Sequence, residues 1–312
     1  MIPFEYRTPK NLKEVHATLK EFGADAKLIS GGTALVIMMK QRLVRPSCLV
    51  SLGSVRGLNG IELKNGGVSI GGLATHRSVE GSSLVRRRLP MLAETYHHVA
   101  TLRIRNVATV GGGLAHADPN QDPPPSLIAL GATVKVTSAN GSRVVPLDEF
   151  FKGYYETILN PDEIITEVMV PKLAANTGAA YIKFLPRTAD DYATVSAAAV
   201  LTLDKTMKTI ADVRIALGSV GETPIHATAA EALLRGQPLK AEAFAEAGEK
   251  AKEAVDPVSD FRGSAAYKKD MAGVFVRRAL EKALADIRQQ AKAKSAPKPA
   301  KKKVAKKKGK KK

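Results

Sequence analysis

The chain has 312 residues, 44% of them hydrophobic, which is enough to bury the core of a two-domain globular protein. The formal net charge of +18 is uneven, because residues 292–312 hold 12 Lys and no acidic residue, while the rest holds 36 basic and 30 acidic residues. The single cysteine, Cys48, excludes a disulfide framework or a cysteine-ligated zinc or iron–sulfur site built by this chain alone.

The N-terminal region predicts a small β-α-β unit of about residues 1–56. Apolar residues recur at helical spacing from Leu12 to Phe22, and Gly23 ends the pattern. Residues 27–30 follow as a predicted buried strand, Gly31-Gly32 as a tight turn, residues 33–39 as an apolar helix start and residues 48–52 as another strand.

The next region, about residues 57–175, alternates strands with helix and loop. We predict a strand at residues 68–70, a helix at residues 84–100 and a long loop at residues 103–125. A strand at residues 133–136 leads to Asn140-Gly141, which is typical of a hairpin turn. A further strand at residues 164–170 ends at Pro171.

A domain boundary is expected in residues 173–178, followed by an α+β domain at residues 176–287. Its predicted strands are residues 181–185, 195–203 and 213–217, and its predicted helices are residues 227–234, 240–254 and 264–287. Residues 288–312 are rich in Lys, Ala and Pro and are predicted to form a disordered tail. The chain shows neither a signal peptide at its start nor an apolar run long enough to span a bilayer, so we expect a cytoplasmic protein, with association with the inner face of the membrane left open.

Two glycine clusters are candidate ligand loops: residues 30–33 and residues 109–113. Glycine lets a backbone turn sharply and bring its N–H groups to a phosphate, and the first cluster also opens a predicted helix. Taken alone, each cluster is better explained as a structural turn, because Gly-Gly turns are common. Neither matches the dinucleotide fingerprint or the Walker loop, which argues against a Rossmann or P-loop nucleotide site.

The clusters and their flanks together resemble the FAD-carrying subunits of molybdenum hydroxylases, of the xanthine dehydrogenase and aerobic carbon monoxide dehydrogenase type. The resemblance runs in order over about residues 3–285. Its segments are residues 27–35 with Met39-Lys40 and Arg45-Pro46; Ile104-Arg105-Asn106; residues 109–119 with Asp122; Arg187 with residues 190–193; and Arg262-Gly263-Ser264 with Tyr267 and residues 277–280.

The resemblance implies an α+β fold made of a PCMH-type FAD-binding region of two lobes and a C-terminal domain that closes over the flavin. It assigns FAD as the cofactor. It also assigns contacts with the FAD pyrophosphate to Lys27, Leu28, Ile29, Ser30, Gly31, Gly32, Thr33, Ala34, Thr109, Val110, Gly111, Gly112 and Gly113. Asp122 would accept hydrogen bonds from the cofactor, and Lys183 would reach it from the second domain.

The remaining assignments concern packing and partners. Val99 and Ile165 would pack near the nucleotide, and Tyr192 would lie at the flavin ring. A molybdopterin-binding large subunit and a [2Fe–2S] small subunit are the implied partners, assembled as a dimer of heterotrimers. The chain would then relay electrons from the [2Fe–2S] subunit through the flavin to an external acceptor. We assign no acid–base catalytic residue and no metal ligand to this chain.

Other interpretations stay open at this point. Tyr192, Val99 and Ile165 are also consistent with ordinary partly buried or core residues, and His116 with Asp118 with a metal or acid–base pair. The chain could instead be a self-sufficient FAD-dependent oxidoreductase. It could also be a polyanion-binding protein that acts through its Lys-rich tail, or that tail could be a passive solvated extension.

Overall fold

The computed structural model describes residues 2–185 and 191–295, so Arg187, Asp190 and the predicted tail from residue 296 lie outside the described residues. The helices are α1 (Leu12–Phe22), α2 (Leu35–Lys40), α3 (His76–Gly81), α4 (Ser83–Arg88), α5 (Pro90–His97), α6 (Leu102–Val107), α7 (Val110–His116), α8 (Pro123–Ala129), α9 (Thr228–Leu234), α10 (Ala241–Ala251) and α11 (Ala265–Ser295). The strands are β1 (Glu5–Arg7), β2 (Ala26–Ile29), β3 (Cys48–Ser51), β4 (Ile61–Lys64), β5 (Gly67–Gly71), β6 (Thr133–Ser138), β7 (Gly141–Pro146), β8 (Phe151–Gly153), β9 (Glu156–Thr157), β10 (Ile164–Val170), β11 (Thr177–Phe184), β12 (Val195–Leu203), β13 (Ile210–Gly218) and β14 (Ile225–His226). The fold is α+β, as the sequence predicted.

The N-terminal unit is a parallel sheet in the order β1-β3-β2. Helix α1 is capped at its N-terminus by Asn11, whose side chain accepts a hydrogen bond from the Glu14 N–H, and at its C-terminus by Gly23, which has a φ of 56°. Its Val15 and Leu19 are buried in the core of this unit. The predicted β-α-β unit is therefore present. Strand β2 is only partly buried, because Lys27 on it faces solvent.

The middle region is built on an antiparallel sheet in the order β4-β5-β10-β6-β7. The Asn140-Gly141 turn joins β6 to β7 as predicted, with Ser138 opposite Gly141. Strand β10 is central: it pairs with β5 on one side and with β6 on the other. Helices α5, α7 and α8 contribute buried residues to the core on this sheet.

The third sheet is antiparallel, in the order β11-β12-β13-β14. Successive residues of β12 point to opposite faces, so Ala198 and Val200 join the core of the middle region while Ala197, Ala199 and Leu201 join the core formed with α9, α10 and α11. Helix α8, buried over its whole length, packs on β12 and β13 and ties the middle region to this sheet.

Three predicted elements differ from the structure. The helix predicted at residues 84–100 is two helices, because Pro90 has no N–H to donate and disfavours a helical Leu89, whose φ and ψ are −140° and 60°. The segment predicted as a loop at residues 103–125 contains α6, α7 and the start of α8.

Helix α11 continues to Ser295, past the predicted end at Ile287. Its last turns contain Ala, Lys and Gln, which are good helix formers. The Gln290 side chain also donates to the Thr177 carbonyl oxygen at 3.2 Å, which fastens the helix to β11. Among the described helices, none combines the length and apolar character needed to cross a bilayer.

Candidate functional site

The two glycine loops, 79 positions apart in the sequence, meet in the structure. The hydroxyls of Ser30 and Thr109 are hydrogen-bonded at 2.8 Å, and Thr109 Oγ1 also accepts from the Gly112 N–H at 3.1 Å. Ser30 follows β2 of the N-terminal unit, while Thr109 caps α7 of the middle region. The contact therefore joins the N-terminal unit to the middle region.

Glycine is required where these loops touch. A Cβ on Gly31 would overlap the Val107 carbonyl oxygen. A Cβ on Gly112 would lie 2.7 Å from Thr109 Oγ1 and 2.8 Å from Ser30 Oγ, and one on Gly111 would lie 2.8 Å from the Gly72 carbonyl oxygen. The structural-turn interpretation therefore holds for these glycines, because each allows a close approach between the two loops or their neighbours.

The two loops differ in what their backbone N–H groups can bind. The N–H groups of Gly111, Gly112 and Gly113 are all used within the protein, by Gly72, by the Thr109 hydroxyl and by the Thr109 carbonyl. Within the described part of the chain, the N–H groups of residues 31–34 have no acceptor. Successive unpaired N–H groups of this kind form a cradle for an anion, and a φ of 67° at Gly32 allows the turn.

His76 supports the second loop from behind, and sequence reasoning missed it. Its Nε2 lies 3.2 Å from the Thr109 carbonyl oxygen, and its ring packs edge-on against Tyr96 with centroids 5.1 Å apart. Burial lowers the pKa of His76 to about 4, so the ring is neutral near pH 7 and donates Nε2–H to that carbonyl. No glycine motif marks His76 in the sequence.

Asp122 and Lys183 lie together in a buried network. Lys183 Nζ lies 2.8 Å from Asp122 Oδ2 and donates to the His98 carbonyl oxygen at 2.9 Å, while the Tyr181 hydroxyl donates to Asp122 Oδ1 at 2.6 Å. Burial raises the pKa of Asp122, and the Lys183 ammonium opposes that rise. Tyr181 was missed, although its place two residues before Lys183 on one strand puts both side chains on one face.

Arg105 shapes the segment that contains Val99. Its Nη1 donates to the carbonyl oxygens of Val99 and Ala100, both at 2.8 Å, and its Nε donates to Glu80 at 3.0 Å. Ala100 adopts a φ of 39°, an unusual backbone conformation for alanine. Although burial raises the pKa of Glu80, hydrogen bonds from His97 and Arg77 hold it below its usual value. The Val99 carbonyl is thus held by an arginine that is itself ion-paired with Glu80, a partner that the sequence around Val99 does not reveal.

The last two predicted contacts differ in exposure. Ile165 lies on β10 in the core of the middle region, and only 5% of it is exposed. Tyr192 is 43% exposed, and its ring faces the Arg262 guanidinium at 5.6 Å from the ring centroid. Burial and the neighbouring Asp118 carboxylate raise the pKa of its phenol. Tyr192 therefore presents an aromatic surface, whereas Ile165 presents little.

His116 and Asp118 have other partners than a metal. The His116 ring packs against Tyr155 with centroids 5.2 Å apart, and Asp118 Oδ1 accepts from the Asn120 N–H at 2.9 Å. Within residues 2–185 and 191–295, no group of three or more His, Cys, Asp or Glu side chains could hold a metal ion.

Comparison with known families decides the family. A family model described as the FAD binding domain in molybdopterin dehydrogenase matches residues 2–173, more than half of the chain. The chain belongs to the FAD-binding subunits of the molybdenum hydroxylases. A second model, the CO dehydrogenase flavoprotein C-terminal domain, matches residues 180–283 of this subunit.

Individual relatives are similar to this FAD-binding subunit over almost its whole length. It is 39% identical to the carbon monoxide dehydrogenase medium chain of Hydrogenophaga pseudoflava over 287 residues, which cover 91% of this chain and 99% of the relative. The nicotine 6-hydroxylase medium subunit of Paenarthrobacter nicotinovorans is 36% identical, over 89% of this chain and 96% of the relative. Among solved structures, carbon monoxide dehydrogenase from Hydrogenophaga pseudoflava superimposes with a TM-score of 0.88 at 41% identity, over 92% of this chain and 99% of that one.

The matching family model is an FAD binding domain, and the residues of the two glycine loops fit this cofactor. A pyrophosphate is a doubly charged anion, and the unpaired N–H groups of residues 31–34 are the donors that such a group needs. Bulk is excluded at Gly31 and Gly112, which keeps the two loops in contact. The subunit is thus a flavoprotein component of a multi-subunit oxidoreductase.

Proposed function

We propose that this subunit holds FAD noncovalently between its two glycine loops and relays electrons from a [2Fe–2S] partner subunit to an external acceptor. The observation that carries the proposal is the run of unpaired N–H groups at residues 31–34, held against the second loop by the hydrogen bond between Ser30 and Thr109. A molybdopterin-binding large subunit would supply the electrons. We propose a dimer of heterotrimers in the cytoplasm as the assembly.

The two loops would have different roles at the pyrophosphate. The N–H groups of residues 31–34 would bind its oxygens, because they have no acceptor of their own. The second loop would shape the opposite wall, since its N–H groups are already bonded within the protein. Lys27, Leu28 and Ile29 would act through β2, whose hydrogen bonds to β3 fix where the first loop begins.

Lys183 and Asp122 would bind the cofactor with the hydrogen-bond donor and acceptor positions that their present contacts leave free. An ammonium has three N–H donors, and two of those of Lys183 go to Asp122 and His98. The third would remain for the cofactor. Each carboxylate oxygen can accept more than one hydrogen bond, so Asp122 would accept from the cofactor while still bonded to Tyr181 and Lys183.

Bound FAD would supply the redox chemistry, taking up and releasing electrons at its isoalloxazine ring. The protein's part is to orient the ring and exclude water, with Tyr192 offering a half-exposed aromatic face for stacking. Val99, held by Arg105, would pack near the nucleotide.

The test is the flavin content of the purified chain. We expect a flavin absorbance spectrum, complete release of the flavin on acid precipitation, and FAD as the released compound. FMN in the supernatant would remove the pyrophosphate from the argument, and flavin remaining in the pellet would show covalent attachment. A relay subunit should also turn over no organic substrate by itself. Turnover by the isolated chain would support the self-sufficient oxidoreductase.

A further inference from the structure

Arg262 lies in the turn before α11 and contacts the segment that contains Tyr192. Its Nη2 lies 3.0 Å from Asp191 Oδ1, and its guanidinium carbon lies 5.6 Å from the Tyr192 ring centroid. The side chain is only 14% exposed. Two successive residues, one acidic and one aromatic, are thus held by a single guanidinium.

Arg262 is itself firmly anchored. The Phe261 ring centroid lies 4.3 Å from the guanidinium carbon, and the Asp260 carboxylate accepts a hydrogen bond from the Arg262 backbone N–H at 2.8 Å. Asp260 is paired in turn with Lys268 of α11, which is 4% exposed and donates to the Val258 carbonyl oxygen at 2.8 Å. The position of the guanidinium is therefore set by the long helix of the C-terminal region.

Asp191 transmits that position to Tyr192. The same Oδ1 that pairs with Arg262 accepts from the Tyr192 backbone N–H at 2.7 Å. The hydrogen bond from Arg262 lowers the pKa of Asp191, so the carboxylate stays ionised and the pair persists through the neutral range. Backbone and ring of Tyr192 are both restrained, the backbone through Asp191 and the ring by the cation itself.

We propose that Arg262 is a positioning residue that holds Tyr192 against the flavin ring through Asp191. This inference rests on the proposed function, because it assumes that FAD binds beside Tyr192. Arginine suits the task because its planar guanidinium can pair with a carboxylate and lie along an aromatic face at once, which a lysine ammonium cannot do. Without it, Tyr192 would spend less time stacked.

Flavin fluorescence measures this contact without any turnover. Tyrosine in van der Waals contact quenches an excited flavin by electron transfer, and the chain contains no tryptophan to obscure the effect. In the full chain loaded with FAD, we expect Tyr192→Phe to lengthen the fluorescence lifetime severalfold, which sets the unquenched reference. Arg262→Gln and Asp191→Asn should both lengthen it toward that reference, and Arg262→Lys should fall between wild type and Arg262→Gln.

The controls separate positioning from general damage. Arg235→Gln removes another ion-paired guanidinium of the same region, bonded to Asp212 and Glu231, and should leave the lifetime unchanged. The double variant Arg262→Gln/Asp191→Asn should match the single variants, because both residues act through one contact. If Arg262→Gln misfolds, the Lys and Asn variants still test the link.

Two results would overturn the inference. One is a wild-type lifetime in both Arg262→Gln and Asp191→Asn while Tyr192→Phe is longer. The other is a wild-type lifetime in Tyr192→Phe itself, which would mean that Tyr192 does not touch the flavin. Absence of FAD from the wild-type chain would instead contradict the proposed function.

Discussion

Replacing Lys183 by Met removes one charge of a buried pair and leaves the other in place. The Lys183 side chain is 2% exposed and that of Asp122 is 5% exposed, so water cannot replace the lost ammonium. Breaking a buried ion pair costs about 3–5 kcal/mol of unfolding free energy. We expect about 3 kcal/mol here, at the low end of that range, because the Tyr181 hydroxyl still donates to Asp122 and the carboxyl can take up a proton.

The loss should depend on pH in a defined direction. Burial raises the pKa of Asp122 and Lys183 opposes the rise, so the variant carries a folded-state pKa raised further. A group whose pKa is higher in the folded state stabilises the fold at low pH, and that contribution disappears as the pH rises through the folded pKa. The variant should therefore approach wild-type stability at acid pH and lose most at neutral pH.

Urea unfolding of the full chain, followed by circular dichroism at several pH values, measures both effects. Lys282→Met is the matched control, because Lys282 also links α11 to the middle region through Glu94, but both side chains are nearly half exposed. Its cost should stay below about 1 kcal/mol. Equal costs for the two variants, or a Lys183→Met cost independent of pH, would refute the reasoning. Lys183→Met/Asp122→Asn should recover part of the loss.

Three further predictions concern the second glycine loop, His76 and the Lys-rich tail. Gly112→Asp should abolish FAD loading in a folded chain, because its Cβ would press on the Ser30 and Thr109 hydroxyls and its charge would repel a pyrophosphate. Gly60→Asp is the control, since no atom lies within 4 Å of a Cβ built there, and normal flavin content in Gly112→Asp would remove the second loop from the FAD site. The pKa of His76 falls from its usual 6.5 to about 4 on folding, so the unfolded state binds a proton first as the pH is lowered between these values, and the wild type should lose roughly 3 kcal/mol of unfolding free energy. His76→Gln keeps a donor for the Thr109 carbonyl and should not show this loss when unfolding is measured at acid pH. Deleting residues 296–312 removes 10 Lys and no acid, so heparin retention at low salt should fall sharply while FAD content stays unchanged; loss of FAD would show that the tail contacts the folded body.

Much of the fold is determined locally and could be predicted from the sequence. The apolar spacing from Leu12 to Phe22, with Asn11 before it and Gly23 after it, predicts α1 because capping and amphipathic packing are local properties. The apolar run within residues 195–203 predicts a strand, and the structure buries β12 on both faces. Pro90 also marks the point where the helix predicted at residues 84–100 divides into two, although the continuous apolar pattern of that segment favoured a single helix.

The glycine loops were recognisable in the sequence for a similar reason, since a backbone that approaches another chain segment without a Cβ needs glycine at defined positions. What each loop does was not recognisable there. The N–H groups of Gly111, Gly112 and Gly113 are used internally because Gly72 and Thr109 supply acceptors, whereas those of residues 31–34 have none. That difference arises only when the loops and β5 pack together.

The site itself was decided by tertiary structure. Ser30 meets Thr109 across 79 positions, and Asp122 meets Lys183 across 61, so no local pattern can report either hydrogen bond. Arg262 reaches Asp191 across 71 positions for the same reason. Composition and spacing determine which residues can turn, pair or stack, but the partners of a buried polar group are chosen when separate elements close over it, because burial makes an unpaired group costly.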